Sequence, residues 1–196
     1  AAAAGNSLAI ALAATGIALV VGLLAAAVIA YRRGRASRWF DTLLMLPLGT
    51  SAVTIGFGFI VALDAPIDLR SSWLLLPLAH ALVAVPFVVR AVVPVMRAVR
   101  TRLREAAAVL GAPPRRVWRE VDLPLVARAA AVGAGFAFAV SLGEFGATAF
   151  VARPDAPTLP LAIFRFLGQP GALNFGRAMA MSVILMMVTA TAVGLI

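Results

Sequence analysis

Residues 7–30 read SLAIALAATGIALVVGLLAAAVIA, a run without a single charged side chain. A helix needs about 20 such residues to cross roughly 30 Å of hydrocarbon, so this stretch is long and apolar enough to span a bilayer. Four further stretches meet the same criterion, at residues 41–63, 73–96, 125–152 and 178–196. The fourth of the five is long enough to tilt or to extend past the membrane. None shows the alternation over about ten residues that marks the strands of a membrane barrel. The opening run lacks the basic segment of a secretory leader and reads as a span, not as a cleavable signal. The expected fold is therefore an all-α integral membrane protein with five transmembrane helices in a single domain, residues 1–196.

Composition agrees. Apolar residues make up 63% of the 196 residues and charged residues 13%, against roughly 45–50% and about 25% in an average soluble domain. A water-soluble globule has too little interior to hide that much hydrocarbon. The net charge of +9 comes from 17 basic residues, all arginine, against eight acids. Arg32, Arg33, Arg35 and Arg38 crowd the first connection between spans, and Arg97, Arg100, Arg102, Arg104, Arg115, Arg116 and Arg119 crowd the third. Cytoplasmic loops carry such an excess, which places these two connections inside and the N-terminal end of the chain outside. Topology signal and contact with lipid phosphate account for most of these arginines, and no nucleic-acid partner is expected. Cysteine is absent and His80 is the one histidine, which excludes disulfides and any multi-histidine metal cluster; no cofactor is expected.

Small residues recur at helical spacing in three rows: Ala14, Ala18, Gly22, Ala26 and Ala30; Ala129, Gly133, Ala137 and Ser141; and Ala131, Gly135, Ala139, Gly143 and Ala147. Helices in lipid associate by close packing over small side chains, so a bundle is expected. Pro47, Pro77, Pro86 and Pro94 fall inside spans two and three and should kink them.

The third connection, residues 97–124, is too ordered to be a simple turn. TRLREAAAVL is helix-forming, with Thr101 available as a cap, and Gly111 supplies a left-handed stop. Pro113 and Pro114 suit the start of a second short helix, RRVWREV, which Leu123 and Pro124 should end. Two short helices with exposed apolar residues on the inner face call for a protein partner. The text EAAAVLGAPPRRVWREVDLP resembles the EAA loop of the inner-membrane permease subunits of ABC importers. Glu105, Ala106, Ala107, Gly111, Val121, Leu123 and Pro124 meet that pattern, with valine for the usual isoleucine, while Pro113 stands where the family often has a polar cap. The 6–33 and 80–100 segments also look like core helices of that family.

The resemblance implies the five-helix core of a type I ABC importer permease in the bacterial inner membrane. The loop would seat on a cytoplasmic ABC ATPase dimer, with Glu105 pairing with a basic residue there. A second permease half or copy and an extracytoplasmic substrate-binding protein would complete the assembly, embedded in membrane lipid. No G-x-x-x-x-G-K-[ST] phosphate loop occurs, so this chain is not the enzyme and hydrolysis falls to the partner. The ends of the chain, in AAAAGN and in an apolar run at Ile196, suggest a piece of a longer or fused permease.

SLGEFGATAF places Glu144 inside the fourth span, where an ionisable group costs on the order of 2.5–3.5 kcal/mol and so should face a cavity or a partner. Ser141, Gly143, Glu144 and Gly146 are the candidates for the translocation path or its gate; the alternative for Glu144 is a structural contact, to Arg90 or to the other half. Arg90 reads as a snorkelling or pairing residue and His80 as a packing histidine. The segment LPLAIFRFLG after this span reads as an outer interfacial helix, either a lid on the bundle or a contact for the binding protein. GEFGAT followed by TLPLAIF resembles permeases for iron(III), thiamine, molybdate and sulfate, with iron(III) or thiamine expected first. A gradient-driven transporter is the rival reading, weakened by the scarcity of intramembrane acids. An intramembrane enzyme lacks its residue pairs.

Overall fold

The structure is a computed structural model and describes residues 2–32, 34–62, 72–99, 103–152 and 156–195. The elements among them are all helical: α1 (Ala2–Tyr31), α2 (Arg35–Gly49), α3 (Ala52–Ala62), α4 (Leu75–Val99), α5 (Leu103–Val109), α6 (Pro114–Val117), a π-helical turn (Trp118–Asp122), α7 (Leu123–Gly143), α8 (Gly146–Val151), α9 (Leu159–Leu167) and α10 (Ala172–Gly194). Thr101 and most of the connection between spans two and three lie outside the described residues.

The core is a three-helix sandwich of α1, α4 and α7, filled by alanine and valine: Ala14, Ala18 and Ala26 meet Ala84, Val88 and Val92, with Ala137 behind them. Small residues let the backbones close in. A Cβ on Gly22 would stand 2.7 Å from the Val88 Cβ, and one on Gly133 would stand 2.9 Å from the Val88 Cα. Val88 is thus clamped from both sides, and the first two small-residue rows are buried along their length. The third row is not. Ala131 and Gly143 are exposed, Gly135 and Ala139 are half-buried, and Ala147 is buried beyond the end of α7. Pro86 and Pro94 lie within α4, which nonetheless remains one element of 25 residues.

Among the described residues four helices are long and apolar enough to cross a membrane, and the pair α2 and α3 makes a fifth span if counted as one. That pair corrects the expected continuous span at 41–63, because the chain bends by 108° between Gly49 and Ala52. Pro47 brings no N–H to the last turn of α2. The Thr50 N–H bonds the Pro47 carbonyl at 3.3 Å, and the Thr50 hydroxyl takes the Leu46 carbonyl so released, at 2.9 Å. Within lipid every such group must find an internal partner, and here one threonine supplies two bonds.

The fourth span is broken as well. The helix ends at Gly143, Glu144 turns extended with ψ 116°, and α8 restarts at Gly146. The two breaks meet, since a Cβ on Gly146 would stand 3.0 Å from Ala52 Cβ, and one on Gly56 would stand 2.8 Å from the Ala147 Cα. At the other end of the span the expected stop at Leu123 and Pro124 does not occur. Helix continues from Pro114 to Gly143, because the π-turn carries the Leu123 N–H to the Trp118 carbonyl. The wider turn accommodates Pro124, which has no N–H to donate.

Candidate functional site

Residues 103–124 form the first candidate. In α5 the Leu110 N–H reaches the Ala106 carbonyl at 3.1 Å, and the Ala112 N–H reaches back to the Ala107 carbonyl at 3.0 Å. Gly111 between them sits at φ +75°. This six-to-one closure over a left-handed glycine ends the helix as the sequence predicts. Pro113, extended at ψ 151°, precedes Pro114 in the first turn of α6. Glu105, Ala106 and Gly111 are exposed on this hairpin, Ala107 and Val121 are half-buried, and Leu123 and Pro124 are exposed at the start of α7. At the tip Val109 and Leu110 are 87% and 86% exposed. Below them Val117 is buried, and Arg116 forks onto Glu120 at 3.0 and 3.1 Å. The second helix of the knob is continuous with α7, and its apolar tip is uncovered.

The second candidate is the break after α7. Glu144 is half-buried, and its Oε1 accepts the Ala147 N–H at 3.0 Å, so the carboxylate caps α8. The Thr148 hydroxyl donates to the Glu144 carbonyl at 3.0 Å. Its oxygen lies 2.8 Å from His80 Nε2, and the Ser141 hydroxyl lies 2.8 Å from His80 Nδ1. Thr148 has one proton and it is already committed, so Nε2 carries the hydrogen and Nδ1 accepts from Ser141. His80 is buried with both ring nitrogens satisfied, tying α4 to α7 and α8. Of the residues grouped from the sequence, Ser141 belongs to this network and Gly146 to the packing against Ala52. Gly143 opens toward α10, on a shallow groove with Ser182, Met186 and Ala190.

Sequence reasoning missed two partnerships. Arg90 does not reach for Glu144; its guanidinium pairs with Asp41, Nη1 donating to Oδ2 at 3.4 Å and Nη2 standing 3.4 Å from Oδ1 as an ion-pair contact, and its Nε meets Met45 Sδ at 3.1 Å. Asp41, the first residue of the span expected at 41–63, is therefore the acid that balances Arg90. Thr148 went unnoticed as a partner of His80; a hydroxyl seven residues after Ser141 was the available signal. At the end of the bundle where the chain begins, the Leu159 N–H donates to Ser7 Oγ at 2.8 Å and the Asn6 amide to the Pro157 carbonyl at 3.3 Å. Phe164 stacks obliquely on Phe145, with ring centroids 5.1 Å apart. Helix α9 thus rests on the bundle, with Leu159, Leu161 and Ala162 buried. Among the described residues no group of three or more histidine, aspartate or glutamate side chains could hold a metal ion.

Residues 18–196 match the family described as binding-protein-dependent transport system inner membrane component. The chain is 36% identical over 142 residues to the molybdenum transport system permease protein of Haemophilus influenzae, an alignment covering 65% of this chain and 62% of that one. It is 33% identical over 196 aligned positions to the molybdenum permease protein of Mycobacterium tuberculosis, covering 92% and 72%. It is 34% identical over 144 residues to the sulfate transport system permease protein of Salmonella typhimurium, covering 68% and 52%. The chain spans less than two thirds of the length of the Haemophilus relative.

Proposed function

The chain belongs to the family of binding-protein-dependent inner-membrane transport components, and on that premise we propose that it is a permease subunit of an ATP-driven importer in the bacterial plasma membrane. The observation that carries this reading is the α5–α6 knob. Its apolar tip is uncovered, its glycine stop is fixed at φ +75°, and its second helix runs without a break into a membrane span. A partner ATPase that grips the tip would pass a rigid-body movement directly to α7. Glu105, Ala106, Ala107, Gly111, Val121, Leu123 and Pro124 serve this coupling, with Glu105 exposed to meet a cation. Ser141, Gly143, Glu144 and Gly146 lie at the break where a gate would act.

The relatives favour a tetrahedral oxyanion such as molybdate or sulfate as cargo. They lend no support to iron(III) or thiamine, the cargoes expected first from the GEFGAT and TLPLAIF segments. Glu144 has a role besides the path, because its Oε1 caps α8 through the Ala147 N–H. A gradient-driven relay has little to work with among the described residues, since Asp41 is paired with Arg90 and Glu144 caps a helix. The whole assembly would add a second permease half or copy, the ATPase pair and an external binding protein.

Uptake of radiolabelled molybdate and, separately, of radiolabelled sulfate by cells expressing the full system tests the cargo. Co-purification of the ATPase with wild type and with Glu105→Lys tests the coupling. Retention of both ATPase and uptake in Glu105→Lys would remove Glu105 from the mechanism, and failure of molybdate and sulfate to enter would overturn the oxyanion assignment.

A further inference from the structure

Helix α2 carries cations that the bundle does not use. Its single buried residue, Ser37, bonds the Ile29 carbonyl at 3.3 Å, and Arg97 reaches the same carbonyl at 3.4 Å. The start of α2 is therefore fixed to the ends of α1 and α4, at the arginine-rich end of the bundle. Asp41 and Met45 turn inward to Arg90. Arg35, Arg38, Trp39 and Thr42 recur at i, i+3, i+4 and i+7 and so share another face, where they line a shallow cleft of about 390 Å³. No described residue pairs with either guanidinium, and Asp41, the acid on the same helix, is engaged elsewhere. Trp39 is 69% exposed, and Leu43 and Leu46 are exposed one and two turns further along.

The order along this face is cation, cation, tryptophan, then leucine. It matches the order of a bilayer leaflet: phosphate, headgroup boundary, acyl chain. We propose that the cleft of Arg35, Arg38, Trp39 and Thr42 binds one anionic phospholipid of the cytoplasmic leaflet. The two guanidiniums fork onto its phosphodiester, Trp39 lies along the glycerol region, and the acyl chains run over Leu43 and Leu46. Arginine suits this role, since its planar donors meet phosphate oxygens two at a time. The site does not depend on the nature of the cargo or on the ATPase.

The probe is Trp39 itself. The chain has three tryptophans, and Trp73→Phe with Trp118→Phe leaves Trp39 as the sole emitter. The purified full-length protein is reconstituted with brominated phosphatidylglycerol or brominated phosphatidylcholine, and quenching gives their relative affinity at Trp39. About fivefold or greater preference for phosphatidylglycerol is expected, from an attraction of about one such factor per interfacial arginine. Arg35→Gln with Arg38→Gln brings the ratio close to one, and each single variant gives an intermediate value even where the double variant fails to insert. Arg115→Gln with Arg119→Gln leaves the preference intact. Equal quenching by both lipids in the parent protein overturns the site. An equal loss in the Arg115 and Arg119 variant reduces it to diffuse charge, and displacement by millimolar inorganic phosphate shows a site for the free anion instead.

Discussion

His80 and Ser141 stand 61 residues apart in sequence and 2.8 Å apart in space, His80 Nδ1 against the Ser141 hydroxyl. Through Nε2 the same ring holds Thr148 on the far side of the break at Glu144. One imidazole therefore joins three helical segments, and its value is best measured as a coupling. Polar contacts between membrane helices average about 0.6 kcal/mol and reach about 1.7. A double-mutant cycle of His80→Leu and Ser141→Ala, read by unfolding in detergent, is expected to give a coupling in that range. The same cycle with Ser182→Ala, whose hydroxyl bonds its own helix at Ala178, should give none. Equal values in the two cycles would reduce the ring to a space-filler.

Glycine positions separate by what surrounds them. A Cβ on Gly22 or Gly56 would collide with Val88 or with the backbone of Ala147, whereas Gly16 and Gly58 on the same two helices have nothing within 4 Å. Overpacking a tight contact costs about 1–3 kcal/mol. Gly22→Ala and Gly56→Ala are expected to lower the melting temperature in detergent, while Gly16→Ala and Gly58→Ala hold or raise it. Indistinguishable melting curves for Gly56→Ala and Gly58→Ala would mean that α3 and α8 part easily.

The small-residue rows show how far the sequence reaches. Spacing identified which faces of α1 and α7 pack, because Ala18 and Gly22 are small for a reason any helix pair shares. It could not identify the third row, since Gly143 and Ala131 are equally small and stay open on this chain. The Gly111 stop was legible because the conformation is local, and so was the start of α6 at Pro114. The break at Thr50 was hidden. Pro47 and Gly49 lie within an apolar run, and a membrane span tolerates both residues, so nothing local distinguished a kink from a bend of 108°. The same holds at Glu144, where the helix end depends on a bond from Ala147 back to the side chain. Arg90 found Asp41 because α2 leans on α4, a fact of packing with no trace in spacing.

Gly111 offers a direct test of the knob. Its φ of +75° suits glycine, and an L side chain there costs about 1–2 kcal/mol. Gly111→Val should fray the end of α5 without touching a membrane span. The expected outcome is normal membrane insertion, ATPase co-purification weakened at least severalfold, and uptake lowered with it. Full ATPase retention at reduced uptake would move the function of this residue away from docking.

Glu144 can be divided into its cap and its charge. Glutamine keeps a carbonyl oxygen that accepts the Ala147 N–H, now received at 3.0 Å, but it carries no charge; alanine loses both. Loss of a cap costs about 0.5–2 kcal/mol. Glu144→Gln should therefore melt close to wild type and Glu144→Ala below it, when both are compared in one detergent. Transport then separates the two roles. If the carboxylate borders the path of an anionic cargo, removing its charge shifts the apparent KM for uptake in Glu144→Gln, with ATPase docking unchanged. Equal KM and maximal rate in Glu144→Gln, together with a lowered melting temperature in Glu144→Ala, would assign the residue wholly to the restart of α8.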